Sequence, residues 1–273
     1  MTLNSQFSQA LDAIAPLGHN IIALANAPQM GEETRRWVEH LDFVSSAVEQ
    51  RPAVLVIPFS DIDHAQEFAA QAEVASSYRI LCVCYHGAYN QEPELAGAMA
   101  AALADCQDPA VPFNGVNLGG IQPVADEAKL TFERVERALN AGVCVIQTGA
   151  DGKPEIVRAV STYRFNPDTG AQDDIMLDIN GALTIDYVRK VMRTAAMKER
   201  RRKNTSAQRR NLRSIFLSEA LKLEQAEILQ NVKETANQLT VIEDASDRYR
   251  VNVNIPADWV RGMHVVATTL DVH

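Results

Sequence analysis

RPAVLVIPFSDIDHAQEFAAQAEVASSYRILCVCYHG, residues 51–87, is the stretch that decides the fold. It opens on an apolar run from Val54 to Phe59, passes through a helical pattern from His64 to Val74, and closes on a second apolar run from Arg79 to Tyr85. Both runs are rich in Val, Ile and Leu, too short for buried helices, and continuous rather than alternating. That is how strands covered on both faces read. A strand, a helix and a second strand in succession predict a parallel crossover.

The same alternation extends in both directions. Helical patterns run over Leu3–Ile14, Glu32–Val48, Pro93–Cys106 and Asp126–Asn140, and short strand-like runs over Asn20–Leu24 and Val143–Thr148. The fold class predicted is α/β: a mostly parallel sheet flanked by helices. The helix from Pro93 is so rich in alanine (AGAMAAALAD) that it reads as a closely packed face. Beyond Val143, Asp151 and Gly152 mark the turn of a hairpin whose second strand covers Glu155–Tyr163. NPDTGAQDD, residues 166–174, is then a polar loop at a domain edge. The rest reads as an α+β C-terminal domain with terminal β-strands, so the expected division is residues 1–160 and 161–273. Its helices are Leu183 to about Arg202 and Leu212 to about Val232, with Asn204, Thr205 and Ser206 breaking the first and capping the second. Strands follow at Leu239–Ile242 and Arg248–Ile255. A corner at Pro256–Gly262 leads to a last strand over Met263, His264, Val265, Val266, Ala267, Thr268, Thr269, Leu270, Asp271 and Val272. Such a strand either closes its own sheet or adds to the open edge of another copy's sheet.

The 273 residues, 47% of them hydrophobic, suffice for one large core or two modest ones. No apolar run approaches the roughly 20 residues that span a bilayer, and MTLNSQFSQALD lacks the regions of a signal peptide, so a soluble protein made in a cytosol is expected. Cys82, Cys84, Cys106 and Cys144 have no metal-ligand or redox spacing and read as reduced thiols. The net charge of −9 is unevenly spread. Lys198, Arg200, Arg201, Arg202, Lys203, Arg209, Arg210 and Arg213 face only the acid Glu199, a local +7 that leaves −16 for the remaining chain. This belt is either a charged interface with an acidic partner or a solvated helix face.

Catalytic chemistry finds little support. His19, His40, His64, His86, His264 and His273 are scattered without metal-ligand spacing, and the chain has no P-loop, dinucleotide fingerprint or nucleophile elbow. Asn117-Leu118-Gly119-Gly120 reads as a turn. Asp61 and Asp63 follow a strand, where open α/β sheets bind ligands, but a helix cap explains them equally well. The belt has no interleaved aromatics to stack on bases, which argues against nucleic acid. No catalytic, cofactor or metal site is assigned.

From about Glu94 onward, however, the chain resembles the C-terminal half of contractile-tail sheath proteins, particularly those of Mu-like bacteriophages. The resemblance rests on the Ala-rich helix followed by Asp105, Asp108-Pro109-Ala110 and Pro112, on GVNLGGIQP at 115–123, and on ERALNAGVCVI at 136–146. Its most specific part is EIVRAVSTYRFNPDTGAQDDIMLDI at 155–179, followed by the helix from Leu183. Arg250–Asn254 and Pro256–Val260 suit the family's ending.

This resemblance implies a non-enzymatic structural subunit that assembles as a homo-oligomer, in stacked rings or a helix, around a tail tube protein. Baseplate and tail terminator are the further partners it implies. The subunit would be assembled in the host cytoplasm, reside in the virion, and take part in contraction that drives the tube through the host envelope. It further implies a core of the family's subtilisin-like, non-catalytic type and makes Met263–Val272 the strand donated between subunits. Arg200, Arg201, Arg202, Lys203, Arg209, Arg210 and Arg213 become a candidate charged interface. Two departures stand out. Family members are usually longer, with an N-terminal arm, so a minimal sheath, a truncated or split sheath that needs a partner, or a decayed prophage copy is the expectation here. The belt also replaces a proline-containing loop. The rival from another class is a flavodoxin-like α/β enzyme using Asp61 and Asp63.

Overall fold

A computed structural model describes residues 3–198 and 202–264, without the side chains of residues 3–6. By packing, the described residues divide into two units: residues 3–107, 112–182 and 263–264 form the first, and residues 108–111, 183–198 and 202–262 the second.

The first unit runs α1 (Leu3–Ile14), β1 (Ile21–Ala23), α2 (Glu32–Ser45), β2 (Val54–Phe59), α3 (Ile62–Ala69), β3 (Ile80–Cys84), α4 (Glu92–Ala104), α5 (Phe132–Asn140), β4 (Val143–Thr148) and β5 (Pro154–Arg158). The five strands lie side by side in chain order, parallel from β1 to β4, with β5 antiparallel to β4. The predicted α/β class with a mostly parallel sheet is therefore the observed one. Every residue of β2 and β3 is buried, as their unbroken apolar runs require. Alternation sorts the strands' side chains onto two faces. Leu55, Ile57, Phe59, Ile80, Cys82, Cys84, Val143 and Val145 meet Leu41 and Val44 of α2, Phe68 of α3, and Val135 and Leu139 of α5. The alanine-rich α4 packs against β1, β2 and β3, burying Leu95, Ala96, Met99 and Leu103.

The order of the strands differs from that of a flavodoxin-like fold. That fold has the order 2-1-3-4-5, and its ligand crevice forms where the order reverses. Here the order is β1-β2-β3-β4-β5, with no reversal among the described strands. A second correction concerns the helix expected over Asp126–Asn140. A short 3-10 turn at Asp126–Ala128 is separated from α5, because Thr131 takes an extended conformation and caps α5, its hydroxyl accepting from the Arg134 N–H. After α5, Gly142 adopts a φ of +81°, and a Cβ there would meet Thr162 Cα at 3.0 Å, so the turn into β4 suits glycine.

Residues 161–178, read from sequence as the beginning of the second domain, are hydrogen-bonded into the first unit. The Thr162 N–H donates to Ile80 O and the Arg164 N–H to Ala75 O. The Thr162 hydroxyl reaches the carbonyls of Val74 and Ser77. Cys82, Cys84 and Cys144 are buried and Cys106 is half-buried; burial pushes the Cys144 thiol up to about 12, which leaves it inert.

The second unit holds most of α6 (Ile179–Met197), then α7 (Ser206–Gln225), β6 (Leu229–Gln230), α8 (Val232–Thr235), β7 (Thr240–Glu243), β8 (Val251–Asn254) and β9 (Asp258–Trp259). Its core gathers Val188, Met192, Phe216, Ala220, Leu223, Ile228, Leu229 and Trp259. The helix expected to reach Val232 stops at Gln225. Leu229–Gln230 instead pairs antiparallel with Asp258–Trp259, inside the stretch read as a corner. Glu227 and Asn231, both with positive φ, break the helical path.

Candidate functional site

Three places in the chain bear on function. At the carboxyl ends of the parallel strands a small cleft of about 110 Å³ is lined by Tyr85, His86, Lys129, Leu130 and Thr148, among others. Its polar groups mostly serve one another. The Tyr85 hydroxyl accepts from the Val124 N–H at 3.0 Å and lies 2.8 Å from Thr148 Oγ1. Lys129 pairs with Asp126 at 2.6 Å. His86 Nδ1 accepts from the Ile62 N–H at 3.3 Å. The two aspartates have separate duties. Asp61 caps α3 by accepting from the His64 N–H at 2.8 Å, and Asp63 faces Arg134 at 3.2 Å. Their spacing is that of a capped helix start. Among the described residues no group of acidic, histidine and cysteine side chains is arranged to hold a metal, and no helix is long and apolar enough to cross a membrane.

The second place is the basic stretch with the hairpin beside it. Arg200 and Arg201 lie outside the described residues, Arg202 is half-buried, and Lys203 and Arg210 are exposed. Arg209 and Arg213 are committed within the unit. The Arg209 guanidinium donates to Asn204 Oδ1 at 2.7 Å and to Glu243 at 2.9 Å. Arg213 Nε donates to Leu239 O at 2.8 Å, and its Nη2 to Ala236 O at 2.5 Å. Both arginines thereby tie α7 to the approach and end of β7. Thr205 caps α7, as its sequence position suggested, accepting from the Gln208 N–H.

β7 and β8 form an antiparallel two-stranded sheet with Val241 opposite Val253 and Ile242 opposite Asn252. Its tip is organised by Asp244. That carboxylate accepts from the Ser246 hydroxyl and N–H, the Asn252 amide and the Asp247 N–H, which hold it well below the usual carboxylate range. Among the described residues no third strand joins this sheet. Its exposed apolar residues are Ile242, Val253 and, at the tip, Tyr249, which is 98% exposed. Such an edge invites strand addition.

The third place is where the chain returns to the first unit at Met263. Of the expected terminal strand, Val265 to Val272 lie outside the described residues, and Met263 and His264 belong to no strand. His264 Nδ1 lies 2.8 Å from Asn114 Oδ1, and its Nε2 lies 3.2 Å from Asp178 Oδ2. Asp178 is a buried carboxylate that also receives two parallel bonds from Arg158, at 2.8 and 2.9 Å. Burial pushes its carboxyl up, but the bonds and charges of His264 and Arg158 outweigh that and hold it at about 2. The Val160–Asp178 bridge and the Ile179 N–H bond to Ala159 O fix the backbone here. Reading the sequence did not find this cluster. Its members stand at 114, 158, 178 and 264, and only the fold brings them together.

Residues 171–273 match the model of the phage tail sheath C-terminal domain family. No curated protein matches the chain in sequence. Among solved structures, the sheath tail protein of Desulfitobacterium hafniense superposes with a TM-score of 0.69 at 15% identity, over 96% of this chain and 58% of that one. The sheath tail protein of Listeria innocua gives 0.70 at 14% identity, over 95% of this chain and 57% of that one. The helical sheath of the anti-feeding prophage in its contracted state gives 0.65 at 15% identity, over 98% and 74%. The chain thus has the fold of these proteins and spans somewhat over half the length of the first two.

Proposed function

We propose that this chain is a structural subunit of a contractile tail sheath, polymerising with copies of itself around a tail tube and contracting to drive that tube through an envelope. The observation that carries the reading is a coincidence of two likenesses. The fold agrees with sheath proteins over nearly the whole chain, and an independent family match covers residues 171–273. In this reading the protein does no bond chemistry. Motion comes from packed units that change their mutual contacts while strand links keep the lattice connected.

The open sheet of β7 and β8 supports the further proposal that copies are linked by strand addition, with the segment from Met263 to Val272 as the strand donated. Backbone hydrogen bonds supply affinity in such an arrangement, and alternating side chains supply register. Lys198, Lys203 and Arg210 are the described members of the basic belt that remain as an exposed charged surface for an acidic neighbour; Arg209 and Arg213 mainly brace the hairpin. Tube, baseplate and terminator proteins are the partners proposed, and a phage tail assembled in host cytoplasm the setting.

Negative-stain microscopy of the concentrated full chain, beside a chain ending at His264, tests this. Rings or rods formed by the full chain and lost from the shortened one are the expected result. Monodisperse single subunits in both, with or without a tail tube protein, would refute the reading.

A further inference from the structure

The C-terminal segment leaves the second unit at Gly262 and makes its next contacts with the first. Its first fixed side chain, His264, is 13% exposed and meets two side chains from separate parts of that unit. Asn114 comes from the loop just before Gly115–Leu118, which itself covers the outer edge of β5 through the Gly115 N–H bond to Ile156 O and the Leu118 N–H bond to Pro154 O. Asp178 stands immediately before α6, clamped by Arg158 from the end of β5. The imidazole therefore joins the edge-covering loop to the start of α6 through one ring. A buried carboxylate with a bidentate arginine is a rigid partner, and charge-assisted bonds to it are stronger than neutral ones.

We propose that Asn114, Arg158, Asp178 and His264 form an anchor that fastens the root of the C-terminal segment to the α/β unit, with His264 as the positioning residue. A force applied to the segment then reaches the parallel sheet through Asp178 and Arg158, without passing back through the second unit's small sheets. That consequence rests on the segment linking subunits, as proposed above; the anchor itself does not, because it lies within one chain. Asn114 Oδ1 and Asp178 Oδ2 lie on the two nitrogen-bearing sides of the ring, at 2.8 and 3.2 Å. The charged groups that bear on the cluster are Asp178 and Arg158, with Glu136 and Asp174 acting on Arg158.

Arg261 is exposed three residues before the anchor, so trypsin reports on it in the unassembled full chain. Cleavage after Arg261, read by mass spectrometry as release of residues 262–273 and normalised to an unstructured reference peptide, is expected to rise roughly tenfold in His264→Ala. Asn114→Ala, which leaves the buried ion pair intact, is expected to raise it by about threefold. His264→Gln, whose side-chain amide can still reach one of the two partners, is expected to fall between His264→Ala and the unaltered chain. Unchanged cleavage in both alanine variants would overturn the anchor. That result would leave the sheath reading standing, and loss of polymers alone would leave the anchor standing.

Discussion

The sheet of the first unit and the hairpin of the second are opposite solutions to the same problem. Every residue of β2 and β3 is buried, and the far side of β5 is covered by Gly115–Leu118, so that edge is occupied by the chain itself. β7 and β8 have four residues each, a mostly exposed or half-buried pattern, and no third strand among the described residues. A two-stranded hairpin is marginal by itself. This one persists because Arg209 and Arg213 brace it from α7 and because Asp244 closes its tip. In the first unit the β5 edge is thus covered by its own chain, whereas among the described residues the β7–β8 sheet has no third strand.

Four measurements break or sharpen that contrast. The largest effect is expected for Phe68→Ala, which removes a fully buried ring packed on Phe59 at 5.4 Å. It should cost about 3–5 kcal/mol, read as a lower unfolding midpoint of the first unit with hydrogen exchange in β7 and β8 unaltered. Acid comes next. The Asp178 carboxyl sits at about 2 in the folded chain, against about 3.9 when unfolded. A depressed folded value means that its stabilisation is complete above about pH 4 and is lost as pH falls through about 2. A loss of about 2–3 kcal/mol over that window is expected in thermal melts, reduced in Asp178→Asn. Arg213→Ala should cost about 1.5–3 kcal/mol through two charged bonds to carbonyls, and faster exchange should appear in β7 and β8 but not in β2 and β3. Ile242→Asp should be the smallest, changing stability by less than about 0.5 kcal/mol because the side chain is 57% exposed, while hindering polymerisation. A large stability loss from Ile242→Asp would show that the hairpin face is already committed within the chain.

The first unit was the more legible of the two in sequence, for a physical reason. Strands buried on both faces need unbroken apolar runs, and 54–59, 80–85 and 143–146 have them. The helix caps at Asp61, Thr131 and Thr205 also follow from local chemistry, although the one at Thr131 divided what periodicity joined. β6 and β9, of two residues each, carry no periodicity, and their pairing is dictated by the turn after Gln225. The basic belt was visible as charge. Which of its arginines are consumed internally was not, since Arg209 meets Glu243 and Arg213 meets Leu239 only through tertiary packing. The cluster around Asp178 was hidden for the same reason: Arg158 and Asp178 stand inside the motif that carries the family resemblance, yet their partner is more than eighty residues away at His264.

The claim at the centre of this account is that the open hairpin of one copy receives the C-terminal strand of another. In a Cys106→Ser background, which leaves only the three buried native thiols, one chain ending at His264 would carry Asn254→Cys. A second, full-length chain would carry a single cysteine at Thr268, Thr269 or Leu270. After mixing and oxidation, disulfide-linked pairs of the two chains should form, strongly at alternate positions of the series, because successive side chains of a strand point to opposite faces. Absence of mixed pairs at all three positions, under conditions in which the full chain polymerises, would contradict it.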